Sequence, residues 1–155
     1  MTGRLQREIQ QKKGFPSAQE ETFLNLQRTA DAVMSVAEEA LKPVRISHTQ
    51  YNLLRILRGS GKGGLACREV GERMLTHDPD VTRLLDRLEC RGLVTRSRDR
   101  KDRRVIITKI TREGLQLLES LDLPVSAAVR KSLAHLSKKQ LRDLTELLEA
   151  ARSSQ

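Results

Sequence analysis

The feature that most constrains the fold is a polar-faced helix followed at once by a basic β-hairpin, within residues 78–110. Asp78 and Pro79 predict an N-cap and first helical residue, and Gly92 predicts the end of the helix. Apolar residues recur at i, i+3, i+4 and i+7, at Val81, Leu84, Leu85 and Leu88. This spacing places them in one stripe that packs against a core and leaves the opposite face to solvent.

Two runs rich in Val, Ile and Thr, residues 93–98 and 104–110, predict strands around a polar turn. Residues 91–104 carry seven basic and two acidic side chains, so they hold +5 of the net charge of +9. A local concentration of positive charge of this kind indicates a polyanionic partner. The chain has only three aromatic residues to stack on single-stranded bases, namely Phe15, Phe23 and Tyr51. Duplex DNA is therefore the favoured partner.

The rest of the chain has the period of helices. Four residues predict helix N-caps: Ser17, Ser47, Thr111 and Ser137. A short helix follows the glycine-rich residues 59–64, and Pro124 is expected to kink or divide the helix that starts at Thr111. A short helix, a turn, a capped helix and a hairpin make a winged helix-turn-helix. The predicted fold is therefore mainly α with a small β-hairpin wing.

Length and composition exclude several classes of protein. At 155 residues the chain fits one domain, and no apolar run approaches the 18 residues of a membrane span. No secretory signal is evident, and two cysteines cannot form a disulfide framework, which favours a reducing, cytoplasmic setting. His48, His77 and His135 stand singly, so we expect no metal site. We also expect no cofactor and no enzymatic activity, because no candidate nucleophile occurs with a general base at a spacing typical of a catalytic motif.

Three motifs together resemble the MarR family of transcriptional regulators. Residues 81–89 (VTRLLDRLE) and 91–96 (RGLVTR) resemble the recognition helix and first wing strand of that family. The wing signature Asp-x-Arg-x5-Leu-Thr-x2-Gly is matched, with Ile in place of Leu, by Asp102, Arg104, Ile110, Thr111 and Gly114. The start of the family's second helix is matched by Ser47, Gln50, Tyr51 and Leu54. The resemblance covers about residues 45–115.

The resemblance implies a single domain, residues 1–155, that forms a homodimer. Helices within residues 17–43 and 112–153 would interlock the two chains. Residues 47–111 would form the winged helix-turn-helix, with the recognition helix at 78–91 and the wing at 93–110. Each subunit would bind half of a pseudo-palindromic operator, usually as a repressor, and a small anionic or phenolic ligand often releases such proteins.

Five residues are the candidate DNA contacts. Thr82 and Arg83 lie in the first turn of the predicted recognition helix, from which side chains reach base edges or phosphates. Arg87 is either a third contact or a partner of neighbouring acids, whereas Asp86 is expected to neutralise a neighbouring arginine. Arg100 and Lys101 lie at the hairpin tip, where they suit the minor groove or phosphates.

By resemblance, Asp102 and Arg104 are expected to brace the wing rather than to read bases.

Other functions stay open beside a ligand-responsive repressor. The chain would be an architectural protein if it coated duplexes without sequence preference, or a protein-interaction module if the wing charges were dispensable. A redox sensor is a further alternative, because Cys90 lies near two arginines, whereas Cys67 lies on an apolar helix face. The glycines of residues 59–64 do not predict a nucleotide loop, since they lack a Gly-Lys-Ser/Thr ending and follow a helix.

Overall fold

The computed structural model describes residues 3–76 and 80–153. Its helices are α1 (Arg4–Glu8), α2 (Ala18–Leu41), α3 (His48–Gly59), α4 (Cys67–Arg73), α5 (Val81–Cys90), α6 (Arg112–Leu133) and α7 (Lys138–Arg152). Its strands are β1 (Leu65–Ala66), β2 (Val94–Arg98) and β3 (Ile106–Ile110). Short 3-10 turns span Lys42–Val44 and Gly61–Gly63. The mainly helical, winged fold predicted from the sequence is confirmed.

The four predicted N-caps are present, and each side chain accepts a backbone N–H of the first helical turn: Ser17, Ser47, Thr111 and Ser137. The start of the recognition helix differs from the prediction. Helix α5 begins at Val81 instead of residue 79, because the carboxylate of Asp80 accepts the N–H of Arg83 at 3.1 Å. The predicted cap, Asp78, and Pro79 lie outside the described residues.

The end of α5 follows the sequence prediction. Gly92 has a φ of +69°, a left-handed conformation that glycine adopts without strain. The N–H of Gly92 donates to Glu89 O at 2.8 Å, and that of Leu93 donates to Leu88 O at 3.0 Å. These bonds satisfy carbonyls that the helix leaves free and turn the chain directly into β2.

The wing is a three-stranded antiparallel sheet in the order β1-β3-β2, not a hairpin alone. Strand β3 pairs with β2 from Val94↔Ile110 to Arg98↔Ile106 and with β1 at Leu65↔Thr108 and Ala66↔Ile107. A strand of two residues has no detectable alternation, which is why β1 was not predicted. It ties the start of α4 to the wing.

The core lies where α3, α5, the sheet and α6 meet. Its largest fully buried residues include Leu53, Leu54, Leu57, Leu85, Leu88, Val94 and Leu118. Pro124 lies inside α6, which runs unbroken, so of the two predicted outcomes the division of the helix is wrong and a kink stays a prediction. Leu121 and Val125 on either side of it are buried in the core, and such burial offsets the roughly 3 kcal/mol that an interior proline costs.

Candidate nucleic-acid interface

Helix α5 has one face fixed in the core and one face in solvent. Leu84, Leu85 and Leu88 are buried, whereas Thr82, Arg83 and Arg87 are exposed. The leucines set the rotation of the helix about its own axis, because turning it would bring apolar side chains into water. The three predicted contact residues on α5 therefore share an exposed face.

The N-terminus of α5 is shaped by a local contact between Asp80 and Arg83. Besides capping the helix, the Asp80 carboxylate lies 3.5 Å from Arg83 Nε, measured to Oδ2. The Arg83 side chain is still 72% exposed. A surface pair at this distance contributes little to stability, about 0.2–1 kcal/mol. Little free energy is therefore needed to break the pair when the guanidinium binds DNA.

Arg87 lies between acids that are engaged elsewhere. Asp86 and Glu89 both pair with Arg96, so the interpretation of Arg87 as their partner is wrong. Arg87 has no ion pair within the two described segments of the chain. Asp86 neutralises a neighbouring arginine, as expected from the sequence.

Arg96 on β2 joins the wing to the recognition helix. Its Nη2 lies 2.6 Å from Asp86 Oδ1 and 2.6 Å from Glu89 Oε2, and its Nε donates to Glu89 Oε2 at 2.9 Å. Its backbone N–H donates to Glu89 Oε1 at 3.0 Å. The hydrogen bond from Arg96 lowers the pKa of Glu89, which keeps the carboxylate ionised. We call these three residues the helix–wing brace.

A second arginine fixes the other end of α5. Arg91 donates from Nη1 to Arg45 O at 2.7 Å and from Nη2 to Val44 O at 2.8 Å. Arg45 has a φ of +53°, so the turn between α2 and α3 is bent to present both carbonyls. The contacts of Arg91 were not predicted from sequence, because their partners lie far along the chain. Of the helix–wing brace only the neutralising role of Asp86 was expected, since Arg96 lies on another element.

The wing tip is a turn held by two aspartates. Asp99 Oδ2 accepts the N–H of Lys101 at 3.3 Å and of Asp102 at 3.2 Å. Asp102 Oδ1 accepts the N–H of Arg104 at 3.0 Å. Asp102 thus orders the turn through the backbone of Arg104, and the Arg104 guanidinium has no ion pair among the described side chains. Its bracing role by side chain stays a prediction.

Arg100 and Lys101 lie at this tip and are exposed. Their backbone is ordered by Asp99, but their side chains form no ion pair within residues 3–76 and 80–153. Two free cations on an ordered turn suit phosphates or the narrow minor groove. The predicted site residues thus fall on two surfaces, the α5 face and the wing tip, linked by the helix–wing brace.

A cavity of about 360 Å³ lies between α3 and α6, and its lining includes Tyr51, Arg55, Arg58, Asp122 and Arg130. Arg58 donates from Nη1 and Nη2 to the two oxygens of Asp122, at 2.8 and 3.0 Å. This bond lowers the pKa of Asp122. Two arginines in the cavity wall are left without a carboxylate partner among the described residues, so the cavity favours an anion.

Cys67 is partly buried against the core, and Cys90 is exposed on α5. No group of three or more potential metal ligands occurs within the described ranges. Among the same residues, no helix is long and apolar enough to cross a membrane.

Comparison with known proteins places this architecture in one family. The model of the MarR family matches residues 46–106. A crystal structure of a MarR transcription factor from Planctomyces limnophilus is 39% identical, covers 88% of this chain and 99% of its own, and has a TM-score of 0.68. The chain belongs to the MarR family. It is therefore a transcriptional regulator with a winged helix-turn-helix, as its motifs predict.

Other MarR-family relatives are named for what they regulate or bind. The homoprotocatechuate degradative operon repressor of Escherichia coli is 27% identical, over 80% of this chain and 82% of its own. The structure of CouR from Rhodococcus jostii RHA1 bound to p-coumaroyl-CoA is 25% identical, covers 88% of this chain and 95% of its own, and has a TM-score of 0.73.

Proposed function

We propose that this MarR-family chain is a homodimeric repressor that reads a pseudo-palindromic operator in duplex DNA. The observation that carries the proposal is the α5 face, where Thr82, Arg83 and Arg87 are exposed while three leucines on the opposite side hold the helix in the core. A helix presented in this way fits the major groove, where arginine distinguishes guanine by its O6 and N7 atoms.

The wing supplies the second contact. Arg100 and Lys101 stand on an ordered turn and act mainly through charge, in the minor groove or on phosphates. The helix–wing brace keeps this turn at a fixed position relative to α5. A protein that only coats DNA needs charge but no such fixed reading face, which favours the repressor over the architectural alternative.

Dimerisation is supported by apolar faces without partners in one chain. Helix α7 has no buried residue among those described, and Leu147 on it is 69% exposed. Phe23 on the first half of α2 is 59% exposed. Exposed apolar faces on two helices are an aggregation liability for a monomer, so we expect a second chain to cover them.

The proposed ligand site is the cavity between α3 and α6. Arg55 and Arg130 offer positive charge, and Tyr51, Val125 and Val129 offer apolar surface, which together suit a small anionic or phenolic molecule. The names of the repressor and CouR relatives support such a role. We expect release of the operator by aromatic carboxylates in a titration panel, and loss of that response in Arg130→Gln.

Selection of bound sequences from a random duplex library tests the function. The proposal predicts an enriched pseudo-palindrome with half-site centres roughly 10–11 bp apart, one helical turn. Light scattering at micromolar concentration should give about twice the chain mass of 17.6 kDa. Binding without any enriched sequence would favour the architectural protein, and a stable, well-folded monomer would rule out the dimer.

A further inference from the structure

The C-terminal end of α5 is joined to the end of α2 by one side chain. Arg91 donates from Nη1 to Arg45 O at 2.7 Å and from Nη2 to Val44 O at 2.8 Å. Val44 and Arg45 close the 3-10 turn that follows α2 directly. A planar guanidinium that bonds two carbonyls fixes both distance and direction between the two elements. We call Arg91 and these two carbonyl groups the α2–α5 clamp.

The turn that accepts these bonds has an uncommon backbone conformation. Arg45 has a φ of +53° and a ψ of +45°, in the left-handed region that residues other than glycine seldom adopt. Such a conformation persists only where surrounding contacts hold it. The Arg45 N–H donates to Lys42 O at 3.0 Å, and its carbonyl accepts from Arg91. The clamp is therefore one of the contacts that hold the turn.

The same end of α5 is also joined to the start of α6. Thr111 Oγ1 donates to Gly92 O at 2.7 Å, and the Thr111 N–H donates to Leu93 O at 3.0 Å. A Cβ on Gly114 would lie 2.3 Å from Leu93 O, so only glycine lets α6 approach this closely. Residues 91–93 therefore connect the recognition helix to both long helices, α2 and α6.

Burial in the core does not by itself fix α5 along its own axis. The buried residues Leu84, Leu85 and Leu88 resist rotation of the helix, but apolar burial is non-directional and tolerates small shifts. Hydrogen bonds tolerate less, because a displacement of about 1 Å away from the turn would take both Arg91 bonds beyond hydrogen-bond distance. The clamp therefore fixes the position of α5 relative to α2.

Helix α2 extends from the clamp to the proposed dimer contact. It has 24 residues, which makes it about 36 Å long at a rise of 1.5 Å per residue. Phe23 near its N-terminus lies exposed on the surface that we expect a second chain to cover. In a two-fold dimer this link occurs twice, once in each chain. The separation of the two recognition helices then depends on where each clamp holds α5.

We propose that Arg91 is a specificity-determining residue for the spacing between the two half-sites of the operator. It is a positioning residue, because it acts through α5 and does not itself read bases. The inference rests on the proposed function, since spacing matters only to a dimer that binds two half-sites. One extra base pair between the half-sites separates them by about 3.4 Å more and turns one relative to the other by about 35°. The clamp opposes the shift of α5 that would follow this displacement.

Operators of two lengths test the proposal, namely the selected operator and the same duplex with one base pair inserted at its centre. On the lengthened operator the parent must break the clamp or distort the DNA, whereas Arg91→Met has no clamp to break. We expect the parent to prefer the selected operator by about tenfold, and this preference to fall about fivefold in Arg91→Met, as for the loss of an exposed charge-assisted pair of hydrogen bonds. The bases preferred within each half-site should stay the same, because the exposed face of α5 is unchanged.

Two further variants separate the clamp from a simple effect of charge. Arg91→Lys keeps the charge but lacks the planar fork that bonds both carbonyls, so its preference should lie between those of the parent and Arg91→Met. Lys12→Met removes the same charge from an exposed residue before α2 and should keep the preference of the parent.

An unchanged preference in Arg91→Met would overturn the proposal. Equal weakening on both operators with a lower salt slope would also overturn it, because that result indicates a phosphate contact by Arg91. A parent that prefers its operator to a scrambled duplex but tolerates the inserted base pair would contradict the clamp alone. Failure of the proposed function is distinguishable, because the parent would then not prefer its operator to a scrambled duplex at all.

Discussion

The helix–wing brace makes a prediction about both stability and DNA binding. Arg96→Met keeps most of the aliphatic side chain but removes the guanidinium that joins β2 to Glu89 and Asp86 on α5. The stability of the domain should fall because the charge-assisted hydrogen bonds are lost. Operator binding should weaken more than binding to random duplex, because helix and wing lose their fixed relative position.

The magnitude follows from exposure. The Arg96 side chain is 24% exposed, Glu89 37% and Asp86 50%. The pair with half-exposed Asp86 resembles a surface ion pair of about 0.2–1 kcal/mol. The bond to Glu89 is less exposed and engages two side-chain nitrogens, so it contributes roughly 1.5–3 kcal/mol. In the variant, water hydrates the freed carboxylates and so recovers part of both contributions. We therefore expect Arg96→Met to lower the free energy of unfolding by about 2 kcal/mol.

Thermal unfolding at fixed protein concentration measures this loss, which corresponds to a fall in melting temperature of about 4–8 °C. The pH dependence identifies its cause. Arg96 lowers the pKa of Glu89 in the folded state, so the stabilisation is complete above the unfolded value of about 4.3. It is lost as pH falls through the lower, folded value. The difference between parent and variant should therefore shrink below about pH 4.

The control for this experiment is Arg103→Met, an exposed wing arginine without an ion pair among the described residues. Its melting temperature should match that of the parent. Equal melting temperatures for Arg96→Met and the parent would refute the brace. A difference as large at pH 3 as at pH 7 would show that packing of the side chain, and not the ion pair, stabilises the wing.

Three further predictions concern other elements. Asn52→Leu removes the acceptor of the Leu75 N–H, now bonded at 3.0 Å, and should destabilise the turn before α5 by about 1–2 kcal/mol in a melting experiment, and an unchanged melting temperature would contradict this. Replacing Cys67 and Cys90 with serine should leave operator affinity and its response to peroxide unchanged in a binding assay; peroxide-dependent release that disappears in the variant would instead support the redox sensor. Leu147→Asp should shift the light-scattering mass towards one chain of 17.6 kDa, because this leucine is 69% exposed without a partner, and an unchanged mass would place the dimer contact elsewhere.

The elements that could be predicted from sequence were those with a local signal. Ser47 caps α3 because its hydroxyl and the Gln50 side chain satisfy each other's backbone N–H groups, a contact within four residues. The stripe of α5 and the hairpin strands are similarly local. Two features of the helices depend on contacts that the pattern did not signal: Asp80 caps α5 through the N–H of Arg83, and core burial keeps α6 continuous through Pro124.

The missed parts of the site depend on distant contacts. Arg91 donates to carbonyls 46 and 47 residues away, and Arg58 meets Asp122 across 64 residues. No spacing in the sequence signals such pairs, because the topology of the fold brings them together. Strand β1 is too short for alternation, and its pairing with β3 becomes evident only when Gly64 is seen against the strand. The sequence therefore predicts the residues of the DNA-binding surface better than the long-range contacts that stabilise this surface.

The central claim is that α5 reads bases while the wing holds the backbone, and Arg83→Ala tests it most directly. Binding to the selected operator and to a scrambled duplex would be measured across a salt series, with Arg100→Ala/Lys101→Ala as the wing variant. We expect Arg83→Ala to cost roughly 1–3 kcal/mol on the operator and much less on the scrambled duplex. The wing variant should weaken both evenly and flatten the salt slope by about one unit per lost phosphate contact. Equal losses on both duplexes for Arg83→Ala would contradict base reading by α5.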